Sequence, residues 1–181
     1  MAGYHHGDLR RALLDAAAAE IAEHGPSAIS LRAIARRAGV SHAAPAHHFG
    51  DRAGLLTAVA AEGFRRMNET MVAAAASSAE PLLAIGRAYV SFARDNPGEF
   101  AVMYRPELLD GSDPDFVSAS ASAYQRLTDA IAATPDAAPE GEEPRVTAAR
   151  HWALVHGLAT LIITGSLPAD DGFIHAVLAG G

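Results

Sequence analysis

The chain has 181 residues, of which 50% are hydrophobic, a formal net charge of −7 and no cysteine. This length and apolar content suffice for a small domain continuous with a larger helical one, and the lack of cysteine excludes disulfides and thiolate metal sites. No uninterrupted apolar run reaches the roughly 18 residues of a membrane span and no apolar signal core opens the chain, so the sequence predicts a cytoplasmic protein.

Charge divides the chain into two parts. Residues 1 to 66 carry eight arginines against six acidic residues, a net charge of +2, whereas residues 67 to 181 carry six against 15, a net charge of −9. DNA carries one negative charge per roughly 1.7 Å of axis, so the positively charged residues 1 to 66 are the part of the chain suited to bind it. Such binding should be sensitive to salt.

The first predicted helix runs from Asp8 to His24 and ends at the helix-breaking pair Gly25-Pro26. Its apolar side chains follow one stripe, which predicts that it braces the segment after it. The stripe consists of Leu9, Leu13, Ala16, Ala17 and Ile21. Neighbouring histidines, His5-His6 here and His47-His48 further on, point apart on a helix and lack an acidic partner, so we predict no bound metal.

Residues 30 to 49 have the layout of a helix-turn-helix. Apolar residues recur three and four positions apart between Leu31 and Ala38, with arginines on the flanks, which predicts a short helix capped by Ser27 or Ser30. Gly39 follows where a helix commonly ends in a left-handed residue. The alternative is a generic helical hairpin whose arginines are a solvated face.

The second helix of this motif is predicted to span His42 to His48, with Ser41 as its N-cap. Its alanines are small enough to let it lie deep in a DNA major groove. Pro45 falls at the fourth helical position, where its missing N–H would only have bonded the cap carbonyl, so it is tolerable. Asp51 stands where a cap opens the next long helix, over residues 53 to 67.

The segment from Tyr4 to about Phe64 resembles the DNA-binding domain of the tetracycline-repressor (TetR) family of bacterial regulators. The motifs that carry the resemblance are YHHGDLRRALLDAA, PSAISLRAIARRAGVS and HHFGDRAGLL. The resemblance implies that Ser30 and Arg32 approach phosphate groups and that Arg52 anchors the next helix to the DNA backbone. It also implies a recognition surface, which consists of Ser41, His42, Ala43, Ala44 and His47.

Two positions depart from the usual pattern of the family. Arg52 stands where lysine is usual, and Ala46 stands at or beside a position where family members often carry a phosphate-contacting tyrosine. That contact is then either missing or supplied by His47 or His48. The departure predicts a modest affinity for each half-site of the DNA.

Beyond Arg66 one helical pattern follows another without strand-like alternation, so the sequence predicts an all-α protein. A three-helix DNA-binding domain, residues 1 to 66, is expected to be continuous with a helical ligand-binding and dimerisation domain, residues 67 to 181. Further helices are predicted over residues 81 to 95, 99 to 104, 115 to 133, 145 to 165 and 173 to 178. A loop is predicted over residues 105 to 114, and a mobile acidic segment over residues 134 to 144.

The helix over residues 145 to 165 is apolar nearly all round and therefore needs burial on several sides. A monomer of this size can hardly cover it, so this helix and residues 173 to 178 are predicted to form a homodimer interface of four helices. Ala153 and Gly157, four residues apart, let another backbone come close. The predicted interface residues are Ala153, Gly157, Leu158, Leu161, Ile162, Phe173 and Val177.

Aromatic side chains with few polar groups among them predict a cavity for a small, largely apolar ligand in the C-terminal domain. The candidate ligand-binding residues are Tyr89, Phe92, Phe100, Met103, Tyr104, Tyr124, Trp152 and His156. The alternative is that they form ordinary core, as aromatics at helical spacing often do. Trp152, His156 and Gly157 also resemble the signature of a TetR subfamily often called WHG, mainly over residues 92 to 165.

The sequence thus predicts a DNA-binding transcription regulator that acts as a homodimer on a pseudo-palindromic operator. The resemblance implies a repressor that a small-molecule effector releases from DNA. One alternative is an interaction protein with a vestigial helix-turn-helix, which Ala46 and its small neighbours keep open. An enzyme is disfavoured, because no glycine-rich phosphate loop, cysteine nucleophile or metal-spaced His/Asp cluster occurs, and no cofactor is expected.

Overall fold

A computed structural model describes residues 6 to 134 and 137 to 180, and these residues form helices without any strand. The helices are α1 (His6–His24), α2 (Leu31–Arg37), α3 (Ala44–Phe49), α4 (Arg52–Ala76), α5 (Pro81–Asp95), α6 (Pro97–Met103), α7 (Pro114–Ala132), α8 (Pro144–Ile163) and α9 (Asp171–Ala179). The predicted all-α fold class is confirmed. Tyr4 and His5 of the N-terminal motif, and Pro135 and Asp136 of the acidic segment, lie outside the described residues.

The chain divides into two compact units. The first unit comprises Met1–Phe64 and Asn96–Ala119, and the second comprises Arg65–Asp95 and Ser120–Gly181. The boundary predicted after residue 66 is close to the first junction, but residues 96 to 119 join the N-terminal helices instead of the bundle. The reason is that α6 packs against α1. Periodicity in a sequence identifies an amphipathic helix without identifying its packing partner.

Helix α1 supplies much of the core of the first unit. Its buried side chains are Leu13, Leu14, Ala16, Ala17 and Ile21. Helices α2 and α6 both pack against α1. The contact with α6 is close because Gly98 has no side chain, and a Cβ atom there would lie 2.0 Å from the carbonyl oxygen of Ala18.

Three predicted helix signals are confirmed. Ser30 is the serine that caps α2, and its Oγ accepts a hydrogen bond from the N–H of Ala33 at 3.2 Å. Gly39 adopts a left-handed φ of 67° after α2. Asp51 opens α4, where its Oδ1 accepts a hydrogen bond from a backbone N–H of the first turn at 2.9 Å.

The predicted start of α3 is wrong. The helix begins at Ala44 instead of His42, and its N-cap is Ala43, which makes no side-chain cap hydrogen bond. Ser41 lies in the preceding turn, where its carbonyl accepts the N–H of Ala44 at 3.1 Å. Pro45 is the second helical residue and is buried. Because the fixed φ of proline suits the first turn, Pro45 and its burial determine the start of the helix more strongly than the capping preference of serine does.

Other boundaries differ from the prediction by a few residues or more. Helix α4 continues to Ala76, and α6 begins at Pro97 instead of residue 99, since proline suits a first helical position. The predicted loop before α7 contains a short 3-10 turn at Pro106–Leu108. In the acidic segment, Glu142 accepts a hydrogen bond from the Thr147 hydroxyl at 2.6 Å, which ties the end of the segment to α8.

The core of the second unit lies where α5 packs against α8 and α9. Gly86 on α5 lies at this contact, and a Cβ atom there would be 3.4 Å from side-chain carbons of both Leu178 and Val155. At the end of α5 the Arg94 guanidinium pairs with the Asp171 carboxylate at 2.9 Å. Apolar packing and one ion pair thus fix α9 on α5.

Much of the apolar surface of α8 faces solvent in the single chain. Its exposed large side chains are Val146, Trp152, Leu161 and Ile163, of which Leu161 is 45% exposed. By length and mean hydropathy α8 is also the one helix of the described residues that could cross a membrane, although an uninterrupted apolar run is lacking. Only 28% of its most apolar window is buried.

Gly98→Ala should destabilise the protein by about 1–3 kcal/mol, because the added methyl group meets backbone atoms and forces α1 and α6 apart. Urea denaturation followed by circular dichroism measures the change in the free energy of unfolding. Gly111→Ala is the matched control, since nothing lies within 4 Å of a Cβ atom at that exposed position. Equal stabilities of the two variants would contradict the close contact.

Candidate nucleic-acid interface

A tight turn fixes the angle between α2 and α3. The N–H of Gly39 bonds to the carbonyl of Arg36 at 3.2 Å, and the N–H of Val40 bonds to the carbonyl of Ala35 at 3.0 Å. These bonds satisfy carbonyl groups that the end of α2 would otherwise leave unpaired. Ile34 and Ala35 are completely buried. The turn and this apolar contact hold the two helices as one unit, and α2 packs against α3.

The predicted recognition surface begins in this turn and continues along α3. Ser41, His42 and Ala43 occupy the turn and are exposed. His47 on α3 is exposed as well, whereas Ala44, the first helical residue, is half-buried. The structure therefore brings the predicted recognition residues together, although most of them precede the helix that was predicted to carry them.

The two histidines near the end of α3 differ in their surroundings. Their rings meet edge to face at 5.6 Å, and the ring of His48 lies a further 6.1 Å from that of Phe49. His48 is half-buried among these rings, while His47 and Ala46 are open to solvent. Of the two candidates for the missing tyrosine contact, His47 is the more accessible. No group of three or more metal-ligating side chains occurs among the described residues.

Exposed side chains of α2 and its cap include the residues predicted to contact phosphate. Ser30 and Arg32 are both exposed at the N-terminal end of α2. Arg36, one of the arginines that flank the apolar face of the predicted helix, is exposed one turn further along. The spacing of four residues places Arg32 and Arg36 on one face of the helix.

Arg37, the next residue, has a different environment. Its guanidinium pairs with the Glu20 carboxylate at 3.2 Å and also contacts the carboxylate of Glu23, both on α1. The imidazole of His24 lies 3.6 Å from Glu23. Arg37 therefore joins α2 to α1, and its charge is compensated within the protein.

Arg52, expected to anchor α4 to the DNA backbone, also has a contact inside the first unit. One of its terminal nitrogens donates a hydrogen bond to the carbonyl oxygen of Pro26 at 2.6 Å. Its Nε is buried without a hydrogen-bond partner among the described residues. Arg52 thus ties the start of α4 to the turn that follows α1, a role that the sequence did not reveal.

The predicted ligand residues of the second unit include a hydrogen-bonded pair. The hydroxyl of Tyr89, which is buried, lies 2.8 Å from Nδ1 of His156. Burial lowers the pKa of His156 below its usual value, so this imidazole is neutral at pH 7. Rings of Trp152 and Tyr124 continue the row outward, at 6.4 Å from His156 to Trp152 and 6.5 Å from Trp152 to Tyr124.

The other predicted ligand residues are distributed over both units. Phe92 is buried in the second unit beneath the Arg66 guanidinium, whose carbon lies 6.0 Å from the ring centroid. Phe100 and Met103 are buried in the first unit, where the rings of Phe100 and Tyr104 meet at 5.4 Å. Phe100 and Met103 form part of the core of the unit that contains the helix-turn-helix, and Tyr104 is half-buried beside Phe100.

The predicted interface residues of α8 and α9 separate into exposed and buried positions. Ala153 and Leu161 are exposed, while Gly157, Phe173 and Val177 are half-buried. A Cβ atom at Gly157 would meet nothing within 4 Å.

Two residues of that set need correction. Leu158 and Ile162 are each only 5% exposed, because they face the core of their own unit. In a helix that is apolar nearly all round, the sequence pattern does not show which side chains face the core and which face outward. We therefore remove these two residues from the predicted interface.

Two sequence profiles match the chain. The profile of the bacterial regulatory proteins of the tetR family matches residues 13–59. The profile of the tetracyclin repressor-like C-terminal domain matches residues 82–179, which is more than half of the chain. The second match covers residues of both compact units, from α5 to α9.

Individual proteins agree with the profiles. The HTH-type transcriptional regulator BetI of Rhizobium meliloti (strain 1021) is 39% identical over 72 residues, which are 40% of this chain and 36% of BetI. A solved protein with unknown function from Rhodococcus sp. RHA1 is 36% identical, with a TM-score of 0.77 over 99% of this chain and 94% of that one. AibR, solved in complex with isovaleryl coenzyme A and operator DNA, shares the fold, with a TM-score of 0.72, 20% identity and coverage of 95% of this chain and 96% of its own. The chain therefore belongs to the TetR family of bacterial transcription regulators.

Proposed function

We propose that this DNA-binding transcription regulator represses its target genes as a cytoplasmic homodimer and leaves its operator when a small, largely apolar ligand binds. The observation that carries the proposal is the exposed surface formed by the turn and α3, beside exposed arginines of α2. Members of the family are regulators, and the proposal gives this chain no catalytic role and no cofactor.

Phosphates and bases are contacted by different residues in this proposal. Ser30 and Arg32 contact phosphates, which position the protein without reading sequence. The base-reading residues are Ser41, His42, Ala43, Ala44 and His47. Alanines let the backbone come close to the base edges, and imidazoles supply groups that can donate or accept hydrogen bonds in the major groove.

Two further residues take supporting roles. Arg52 contacts a phosphate through the guanidinium atoms that do not bond to the Pro26 carbonyl. His48, half-buried between the rings of its neighbours, supports the orientation of His47.

The small side chains around Ala46 also favour a second candidate function, an interaction protein whose helix-turn-helix no longer reads DNA.

The apolar outer face of α8 supports the proposed homodimer. Ala153, Gly157 and Leu161 are spaced by four residues along this face, and the small first two allow close approach of a second α8. Phe173 and Val177 on α9 are half-buried and would be covered further by a partner. A twofold axis through this face would present two copies of α3 to two half-sites of a pseudo-palindrome.

The proposed ligand site centres on the hydrogen-bonded pair of Tyr89 and His156. Trp152 and Tyr124 extend it with apolar ring surface. Because His156 is neutral, the pair offers hydrogen bonds but no charge for an anion, which favours a largely apolar ligand. AibR, which shares the fold, was solved with both isovaleryl coenzyme A and operator DNA. Phe92, Phe100, Met103 and Tyr104 stay predicted contributors to the ligand site.

Arg32→Ala should weaken binding to selected and random DNA by the same factor, and should lower the salt slope by about 0.9 for each phosphate that the variant no longer neutralises. His47→Ala should instead change the preferred base, with little change in the slope. Fluorescence anisotropy at several salt concentrations, on duplexes that the wild-type protein has selected from a random pool, measures both effects.

Arg87→Ala is the matched control for these variants, because Arg87 is exposed on α5 in the second unit. It removes the same charge from a residue that is not part of the proposed DNA interface. If Arg32→Ala and His47→Ala both affected selected and random DNA equally, the division into phosphate-contacting and base-reading residues would be wrong.

Gly157→Glu should convert the proposed dimer into monomers that keep their helix content. The side chain has room in the single chain, but a carboxylate buried against an apolar partner face would be strongly unfavourable. Sedimentation velocity measures the mass, and circular dichroism measures the helix content. Gly111→Glu adds the same charge at another open position and should stay dimeric. A dimeric Gly157→Glu protein would contradict the proposed interface.

A further inference from the structure

The arginines of the first unit fall into two groups. One group bonds to acidic side chains or to a carbonyl oxygen, and it consists of Arg11, Arg37, Arg52 and Arg105. The other group has no ion-pair partner among the described residues, and it consists of Arg10, Arg32 and Arg36. Arg32 and Arg36 belong to the helix-turn-helix, whereas Arg10 lies on α1, outside it.

Arg10 nevertheless contacts the end of α3. The central carbon of its guanidinium lies 5.5 Å from the ring centroid of Phe49, the last residue of α3. The ring of Phe49 is in turn 6.1 Å from that of His48, which meets the ring of His47. A continuous row of side chains therefore leads from the exposed recognition surface to the cation on α1.

The interaction with Phe49 orients the Arg10 guanidinium without neutralising it. A cation above an aromatic ring is attracted by the ring's quadrupole and needs no hydrogen bond for this contact. No acceptor in residues 8 to 134 or 137 to 180 occupies its planar fork of N–H donors, and such a fork matches phosphate geometry with two parallel hydrogen bonds. A held arginine also loses less side-chain entropy on binding than a free one.

Arg11, the next residue in the chain, has a different environment from Arg10. It is rotated by about 100° around α1 from Arg10, and its guanidinium pairs with Asp15 at 3.3 Å and with Glu62 at 3.8 Å. The positive charge that faces the end of α3 thus comes from Arg10, while that of Arg11 is compensated within the protein.

The dimensions of DNA are compatible with a phosphate contact for this cation. A helix with its side chains is about 10–12 Å wide and fills a major groove of about 12 Å, whose rims are lined by phosphates. With α3 in the groove, a guanidinium beside its last turn is within reach of a phosphate at one rim.

We propose that Arg10 is a phosphate contact of the operator complex, supplied by α1 from outside the helix-turn-helix and oriented by the ring of Phe49. This inference rests on the proposed role of the α3 surface in DNA binding. It adds a contact at the C-terminal end of α3 to the contacts proposed for Ser30 and Arg32 at the start of α2.

The test compares three variants of the full-length protein: Arg10→Gln, Arg10→Lys and Arg11→Gln. Each is titrated with a fluorescein-labelled random-sequence duplex, and with a duplex that the wild-type protein has selected, at several salt concentrations. Arg10→Gln keeps most of the stem over Phe49 and loses the charge, so its salt slope should fall by about 0.9 for each Arg10 engaged, on both duplexes. Arg10→Lys should keep the slope, and Arg11→Gln should leave both slope and affinity unchanged.

Thermal melting of each variant separates a folding defect from a missing phosphate interaction, because a merely structural role of Arg10 would lower the melting temperature without lowering the salt slope. If folded Arg10→Gln had the same salt slope of DNA binding as the wild-type protein, the inference would be overturned. An equal decrease of the salt slope in Arg10→Gln and Arg11→Gln would overturn it as well. If the wild-type protein itself selected no sequence, the proposed function would fail and this inference with it. A selecting wild-type protein with an unaltered Arg10→Gln slope would remove the inference alone.

Discussion

The orientation of the DNA-binding helices depends on the packing of α1. Its buried apolar stripe is the surface against which α2 and α6 pack, and the ion pair between Arg37 and Glu20 supplements the contact with α2. The contact with α6 leaves no room for a side chain at Gly98. Because α3 is held in turn by α2 and by the tight turn at Gly39, the position of the recognition surface follows from these contacts rather than from α3, which is short.

Electrostatic pairing within the first unit determines which of its cations are available to DNA. Arg11 and Arg37 bond to carboxylates of α1 and α4, so their charges are compensated within the protein, whereas Arg52 bonds to a carbonyl oxygen and keeps its charge. Arg32 and Arg36 keep their charge on the outer face of α2. The net charge of −7 thus says little about DNA binding, because the acidic excess belongs to residues 67 to 181.

Local chemistry was predictable from the sequence, and contacts between distant residues were not. The left-handed Gly39 was predicted, and Ser30 was one of two serines predicted to cap α2, because both signals follow from preferences of single residues. The start of α3 was missed because burial of Pro45 outweighed the capping preference of Ser41. The packing of α6 on α1, the inward orientation of Leu158 and Ile162, and the approach of Arg10 to Phe49 each depend on a partner far away in the chain, which periodicity does not identify.

The most direct test of the account is a sequenced pull-down of genomic DNA fragments with the purified protein, near physiological salt and with excess competitor DNA. Competitor and salt remove binding that depends only on phosphates, so enrichment then reports base recognition. A recognition surface made of the turn and α3, duplicated by a twofold axis, predicts an enriched pseudo-palindrome whose half-sites are about 34–36 Å, or a multiple of that distance, apart. Recovery of fragments without a shared sequence would contradict a sequence-reading surface on α3.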